Sequence, residues 1–235
     1  MRLATAIKYD LRLQFRHGFY YAYLIVSLAY IAVIRSIPAH QFIRPFLVVS
    51  LMTDPSILGF FFLGGIIFLE KGQNILEGLF ITPIRMGEYM WSKVISLTIL
   101  AVLSSLLITV GSIGFSFNLV WFLLGIGLTS VLFVLLGFTL ASITTTINGY
   151  ILTSPIYATA TVLPFLDYFN IIKSPLFFLV PTQSTLVLLD GAFNTRPLWE
   201  LLLATGLLLV FVYLAWLWAS HWFYKNIVLR TGAAQ

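Results

Sequence analysis

Not one charged side chain stands between Lys93 and Asp167. A soluble domain carries roughly 25% charged residues spread along its length, so a stretch of this kind has its place in lipid. The rest of the chain agrees: of 235 residues, 60% are hydrophobic and 9% charged, with a mean hydropathy of +1.01. A water-soluble enzyme, a nucleic-acid-binding domain and a disordered chain are excluded together. The chain has no cysteine, which removes a disulfide framework, a thiolate nucleophile and any Cys-ligated metal. His17, His40 and His221 are scattered without metal-ligand spacing, so neither a metal site nor a catalytic residue is expected.

A helix crossing about 30 Å of hydrocarbon needs about 20 mostly apolar residues. Six segments qualify: Phe19 to Ile37, one within Phe46 to Leu69, Val94 to Gly114, Leu119 to Ile143, Tyr150 to Leu166, and Leu198 to Phe223. Apolar residues run continuously in them instead of alternating, so the expected fold is an all-α membrane bundle and not a β-barrel. Residues 1–235 are read as one transmembrane domain. Ser36 to Ala39 make no small-x-small cleavage site, so the first span is read as uncleaved.

Orientation follows the basic residues, which collect on the cytoplasmic side. Arg2, Lys8, Arg12, Arg16, Lys71, Arg85, Lys93, Lys225 and Arg230 fall on one side; Arg35, Arg44, Lys173 and Arg196 fall on the other. Both termini are expected to be cytoplasmic in the cell membrane, and an even number of spans requires them to share a side. The net charge of +5 is thus topological and does not signal nucleic acid.

Residues 1–18 form a basic leader. Leu3, Ile7, Leu11 and Phe15 fall on one helical face and Lys8, Arg12 and Arg16 on another, the pattern of an interfacial amphipathic helix, with a bend expected at Gly18. Between the second and third spans, residues 70–93 are polar at both ends. Their centre carries Ile75, Leu76, Leu79 and Phe80, a short amphipathic stripe closed by Pro83. Such a helix either docks into a partner's groove or rests on the bilayer surface.

Glu70, Gly72, Leu76-Glu77, Leu79, Thr82-Pro83, Glu88-Tyr89 and Lys93 resemble the E-x-G-x-x-x-L-E-x-L-x-x-T-P-x-x-x-x-E-Y-x-x-x-K pattern of type-2 ATP-binding cassette (ABC) exporter permeases. In the leader, Asp10 to Gln14 with Gly18 to Tyr20, and in the second span Asp54-Pro55 with Gly59 to Phe62, are similar to the bacterial fluoroquinolone-export permease group. The resemblance implies that the loop is a coupling helix engaging a cytoplasmic ABC ATPase through Glu70, Gly72, Leu76, Glu77, Leu79, Phe80, Thr82 and Pro83. It implies a second copy or a paralogous permease as the other half, with ATP and Mg on the ATPase subunit. Gly78 departs from the pattern, and a glycine costs a helix about 1 kcal/mol against alanine. None of the five lysines follows a glycine, so this chain carries no phosphate loop and is expected to bind no cofactor itself.

Ionisable residues within spans are functional suspects, because burying them in lipid is costly. Asp54 is the clear one. It is read either as the cap of a second span that starts partway down, with residues 46–53 as an outer segment, or as a substrate-pathway residue alongside Phe61 and Phe62. Arg35 is placed to snorkel. The many hydroxyls of the third to fifth spans are read as helix-packing groups, and Thr144 to Asn148 as a tight turn that offers the ATPase a second contact. Residues 167–197 lie outside yet stay apolar at Leu176 to Val180 and Leu186 to Leu189. These pieces are too short to span, which suits a re-entrant hairpin in the outer leaflet or a bulky external cap. The expected function is export of a hydrophobic or amphipathic substrate (drug, lipid or peptide). The alternatives are an ATP-independent carrier and a membrane scaffold or immunity protein that transports nothing.

Overall fold

The computed structural model describes residues 2–38, 40–73, 75–76 and 84–229; for residues 40, 54–57, 157, 158 and 160 it describes the backbone alone. Every regular element among the described residues is helical. α1 (Arg2–Arg16) and α2 (Phe19–Ser36) are joined at Gly18, whose φ of 81° is the left-handed conformation that glycine adopts without strain. α3 (Ile43–Gly72), α4 (Met86–Ile113) and α5 (Leu119–Ile143) follow, then α6 (Ile147–Val162), α7 (Phe165–Tyr168), α8 (Pro181–Phe193) and α9 (Leu198–Phe223). α9 runs on through a π-helical turn, Tyr224–Val228.

Among the described residues, five helices are long and apolar enough to cross a membrane: α2, α3, α4, α5, and α9 with its π turn. α5 and α9 have the bounds expected from hydropathy. α6 covers most of the expected fifth span but has 16 residues with Pro155 inside it, about 24 Å at 1.5 Å per residue. α3 differs most from expectation. It is one helix of 30 residues that passes through Asp54 and Pro55, so Asp54 does not cap a span and residues 46–53 are not a separate segment; the helix instead begins after Phe42.

α5 is the central helix, packed against α3, α4, α8 and α9. Two apolar clusters fill the bundle. One joins Phe60, Leu63, Met90, Phe138, Tyr150 and Phe223 toward the end that carries α1; the other joins Ile34, Leu47, Phe122, Ile126, Leu189 and Phe193 toward the opposite end. Hydroxyls tie the helices together near the boundary: Ser27 and Ser104 Oγ lie 2.9 Å apart, and Thr129 and Thr185 Oγ1 2.7 Å apart. α8 is buried along its length from Thr182 to Phe193, while the 3-10 turn Pro175–Leu179 before it exposes Leu176 and Leu179. The two apolar pieces of this region thus take unlike places.

Helix ends are satisfied by side chains from neighbours. Arg35 Nε donates to Gly111 O of α4 (2.8 Å) instead of reaching freely outward, and Lys71 Nζ donates to Ala141 O at the end of α5 (2.8 Å). Thr146 caps α6 by accepting from Gly149 N (3.1 Å).

Tyr150 makes a close helix contact. Its hydroxyl donates to Phe60 O (2.6 Å), and its ring lies where a Cβ on Gly64 would sit 2.4 Å away. Gly64→Ala therefore forces a rigid ring off the helix and is expected to cost about 1–3 kcal/mol, read as a lower midpoint of thermal unfolding in detergent. Gly65→Ala next to it, where a Cβ meets nothing within 4 Å, is expected to leave the midpoint in place.

Candidate functional site

Tyr89 and Lys93 are four residues apart on α4 and share one face. That face meets the end of α3 and the middle of α1. Lys93 Nζ donates to Glu70 Oε1 at 2.6 Å and to Asp10 Oδ1 at 2.5 Å, and Tyr89 Oη donates to Glu70 Oε2 at 2.5 Å. The lysine side chain is 3% exposed, that of Asp10 4% and that of Glu70 5%. One turn along, Gln14 Nε2 donates to Ser96 Oγ at 2.8 Å. The Lys93 ammonium also lies 5.3 Å from the centroid of the Tyr89 ring.

This arrangement adds a buried polar line to the leader's apolar stripe. The helix buries Asp10 and Gln14, its polar line, while Phe15 of the apolar stripe is 56% exposed. A buried carboxylate is stable only when paired and hydrogen-bonded, and Lys93 supplies that pairing. Leu3, Ile7 and Leu11 are half-buried beside it.

The loop motif gains a physical meaning. Glu88 Oε2 accepts from Arg85 N (2.9 Å) and so starts α4, while Tyr89 and Lys93 grip Glu70 from the far side of the loop. Glu70 therefore faces inward, 4% exposed, and Leu76 is 3% exposed in the apolar cluster. Neither presents its side chain as a surface contact, because each is held by the bundle. Gly72 is exposed at the end of α3, where a Cβ would meet nothing within 4 Å. Glu77, Leu79, Phe80, Thr82 and Pro83 lie outside the described residues. Of the expected pathway residues, Phe62 stacks on Phe19 at 4.5 Å and meets Tyr23 edge-on, fastening α2 to α3, and Phe61 meets Phe60 edge-on. Asp54 lies on α3 within the spanning stretch, apart in sequence from the Lys93 cluster, and its side chain lies outside the described residues.

Sequence reasoning did not assign Asp10, Gln14, Tyr89 and Lys93 to a site. The signal was present as one acid in an otherwise basic leader and an i, i+4 Tyr-Lys pair opening an apolar helix, but the partner of each is distant in sequence.

A second polar cluster closes the opposite end. Asp190 Oδ2 accepts from Arg196 Nε at 2.5 Å and Oδ1 from Asn194 Nδ2 at 2.8 Å. Arg44 Nη1 donates to Asn194 Oδ1 at 3.0 Å, and Gln183 Nε2 to Asp167 Oδ2 at 2.6 Å. Burial pushes the Tyr168 phenol well above its ordinary range, and the adjacent Asp190 carboxylate adds to this. These bonds tie the end of α8 to the starts of α3 and α9.

Two comparisons bear on this arrangement. The family model described as the fluoroquinolones export permease protein family matches residues 1–231. Two curated relatives, both named fluoroquinolones export permease protein, come from Mycobacterium tuberculosis strains CDC 1551 / Oshkosh and ATCC 25618 / H37Rv. Each is 29% identical over 196 residues, which covers 82% of this chain and 81% of the relative.

Lys93→Met leaves two carboxylates buried without their cation, and breaking a buried pair from one side costs about 3–5 kcal/mol. Tyr89→Phe removes one hydrogen bond and should cost about 1–3 kcal/mol. Thermal unfolding of the purified chain in one detergent checks the order; a Tyr89→Phe loss equal to that of Lys93→Met would contradict the central place given to the lysine.

Proposed function

The chain belongs to the fluoroquinolones export permease family, and from that premise we propose that it is the membrane-spanning subunit of an ABC exporter. In this reading it moves hydrophobic or amphipathic compounds, drugs of the fluoroquinolone type among them, out of the cytoplasm. A separate ABC ATPase binds ATP and Mg and supplies the energy. α2, α3, α4, α5, α6 and α9 are the six spans, α8 with the preceding turn is the re-entrant hairpin, and the α1 end faces the cytoplasm in agreement with the distribution of Lys and Arg. A second copy or a paralogous permease provides the other half.

The observation that carries this reading is the Lys93 cluster. It fastens both ends of the 70–93 loop to each other and to the leader helix. Force applied to the loop by a partner is then delivered to α1, α3 and α4 as a unit. Residues 77–83, at the loop's centre, are left as the segment for the partner to grasp. In the permease chain itself, energy coupling needs no acid–base or nucleophilic chemistry, only rigid attachment.

The test is capture of the full chain from its native membrane, followed by mass spectrometry and an ATPase assay. A stoichiometric ATPase carrying a phosphate loop is expected with the wild type. Glu77→Lys and Leu79→Asp are expected to lose that ATPase and all ATP-driven transport while inserting normally. Capture of the chain without an ATPase in several mild detergents would overturn the reading and favour a carrier or scaffold.

Asp54 enters the same proposal. With its capping role gone, it is a carboxylate on a spanning helix, and such residues mark substrate pathways. Asp54→Asn is expected to lower drug efflux by at least tenfold with the chain still folded and the ATPase still bound; unchanged efflux would remove it from the path.

A further inference from the structure

A cavity of about 530 Å³ lies against the Lys93 cluster, between α1, the end of α3 and the start of α4. Its walls are largely apolar and include Ala6, Tyr9, Leu13, Leu69 and Ile84; Asp10 also lines it. We propose that this cavity binds an amphipathic amine, with the ammonium held by Asp10 and the apolar body lying between α1 and α4.

Three observations converge on that chemistry. The volume falls in the roughly 300–1,000 Å³ range of small-molecule sites, which are mostly apolar with a few placed polar groups. The cluster holds two carboxylates and one ammonium, so with all three ionised it carries one surplus negative charge. Asp10 is 3% exposed, and its Oδ2 accepts no hydrogen bond among the described residues, although Oδ1 is bound to Lys93. A carboxylate oxygen in that state loses hydration without a replacement, at a cost above that of a neutral group. An N–H of a ligand ammonium at about 2.7–2.9 Å restores the bond and the charge balance together. Arg2 also lines the cavity, but it stands at the exposed rim, about two helical turns from Asp10.

As substrate recognition, this inference rests on the export reading; as binding, it is a property of the chain alone. A ligand seated here touches the atoms that hold the loop, so occupancy is communicated to the partner ATPase without a separate relay. An aminolipid headgroup presents the same ammonium as a soluble drug.

The experiment is equilibrium dialysis of the full chain in phosphatidylcholine nanodiscs at pH 7. The probes are norfloxacin, which carries a basic piperazine amine, and its N-acetyl derivative, which does not. Norfloxacin is expected to bind at least tenfold tighter. Asp10→Asn should erase that preference. Ala6→Phe fills the cavity while leaving every ion-paired residue in place and should weaken norfloxacin at least tenfold; Thr5→Trp, also lining the cavity, serves if that variant does not fold. Phosphatidylethanolamine added to the nanodiscs separates the two sources: competition assigns the lipid amine as occupant, and its absence the soluble compound, each in support. Equal binding of the two probes would overturn the proposal, as would norfloxacin binding unchanged in both cavity-filling variants. Either negative result leaves ATPase capture untouched, so failure of this inference and of the export reading are separately visible.

Discussion

A lysine enclosed by two carboxylates at the mouth of an apolar bundle constrains everything around it. The charge is affordable there only while both partners stay in contact, since their attraction in a medium of low dielectric is all that offsets lost hydration. One partner comes from the leader and the other from the end of α3. The positions of three helices are thus set by one ammonium group, to within hydrogen-bond tolerance. The tyrosine one turn away narrows that tolerance by holding the second oxygen of Glu70.

Elsewhere the bundle relies on fit. Hydrocarbon offers no hydrophobic drive for helix association, so packing and interhelical hydrogen bonds take its place. Gly64 and Gly137 both lie against Tyr150, and paired hydroxyls join α2 to α4 and α5 to α8. Most other hydroxyls bond the preceding turn of their own helix, as Thr139, Ser142 and Thr153 do. Ser105, Thr109 and Ser130 are buried without a partner among the described residues. The interior is accordingly graded: tightly keyed at Tyr150, more loosely satisfied along the α4 and α5 hydroxyls.

The helical membrane class and the bounds of α5 and α9 were legible in the sequence because apolar length carries that information directly. The bend at Gly18 was legible because a glycine between two differently patterned segments has a local cause. α3 was not, since Asp54-Pro55 is a sound helix start by local rules and only packing along a 30-residue rod overrides it. The leader was legible in part, for a related reason. Its apolar stripe is real, yet the burial of Asp10 depends on Lys93, which is 83 positions away. Local periodicity contains no term for a distant countercharge. The loop motif could be recognised as a pattern, but the inward direction of Glu70 and Leu76 emerges only when α3 and α4 are side by side.

Lys71 gives the loop one more attachment. By donating to the last turn of α5, it places a positive charge where the helix dipole is negative and spans from the loop's first residues to the turn before α6. The end of α5 is thereby joined to the loop and to α3, as a crossbeam joins two planks. α5, the axis around which the bundle is packed, is thus tied to the same loop as α3 and α4, and the three are braced as a framework and not as separate rods.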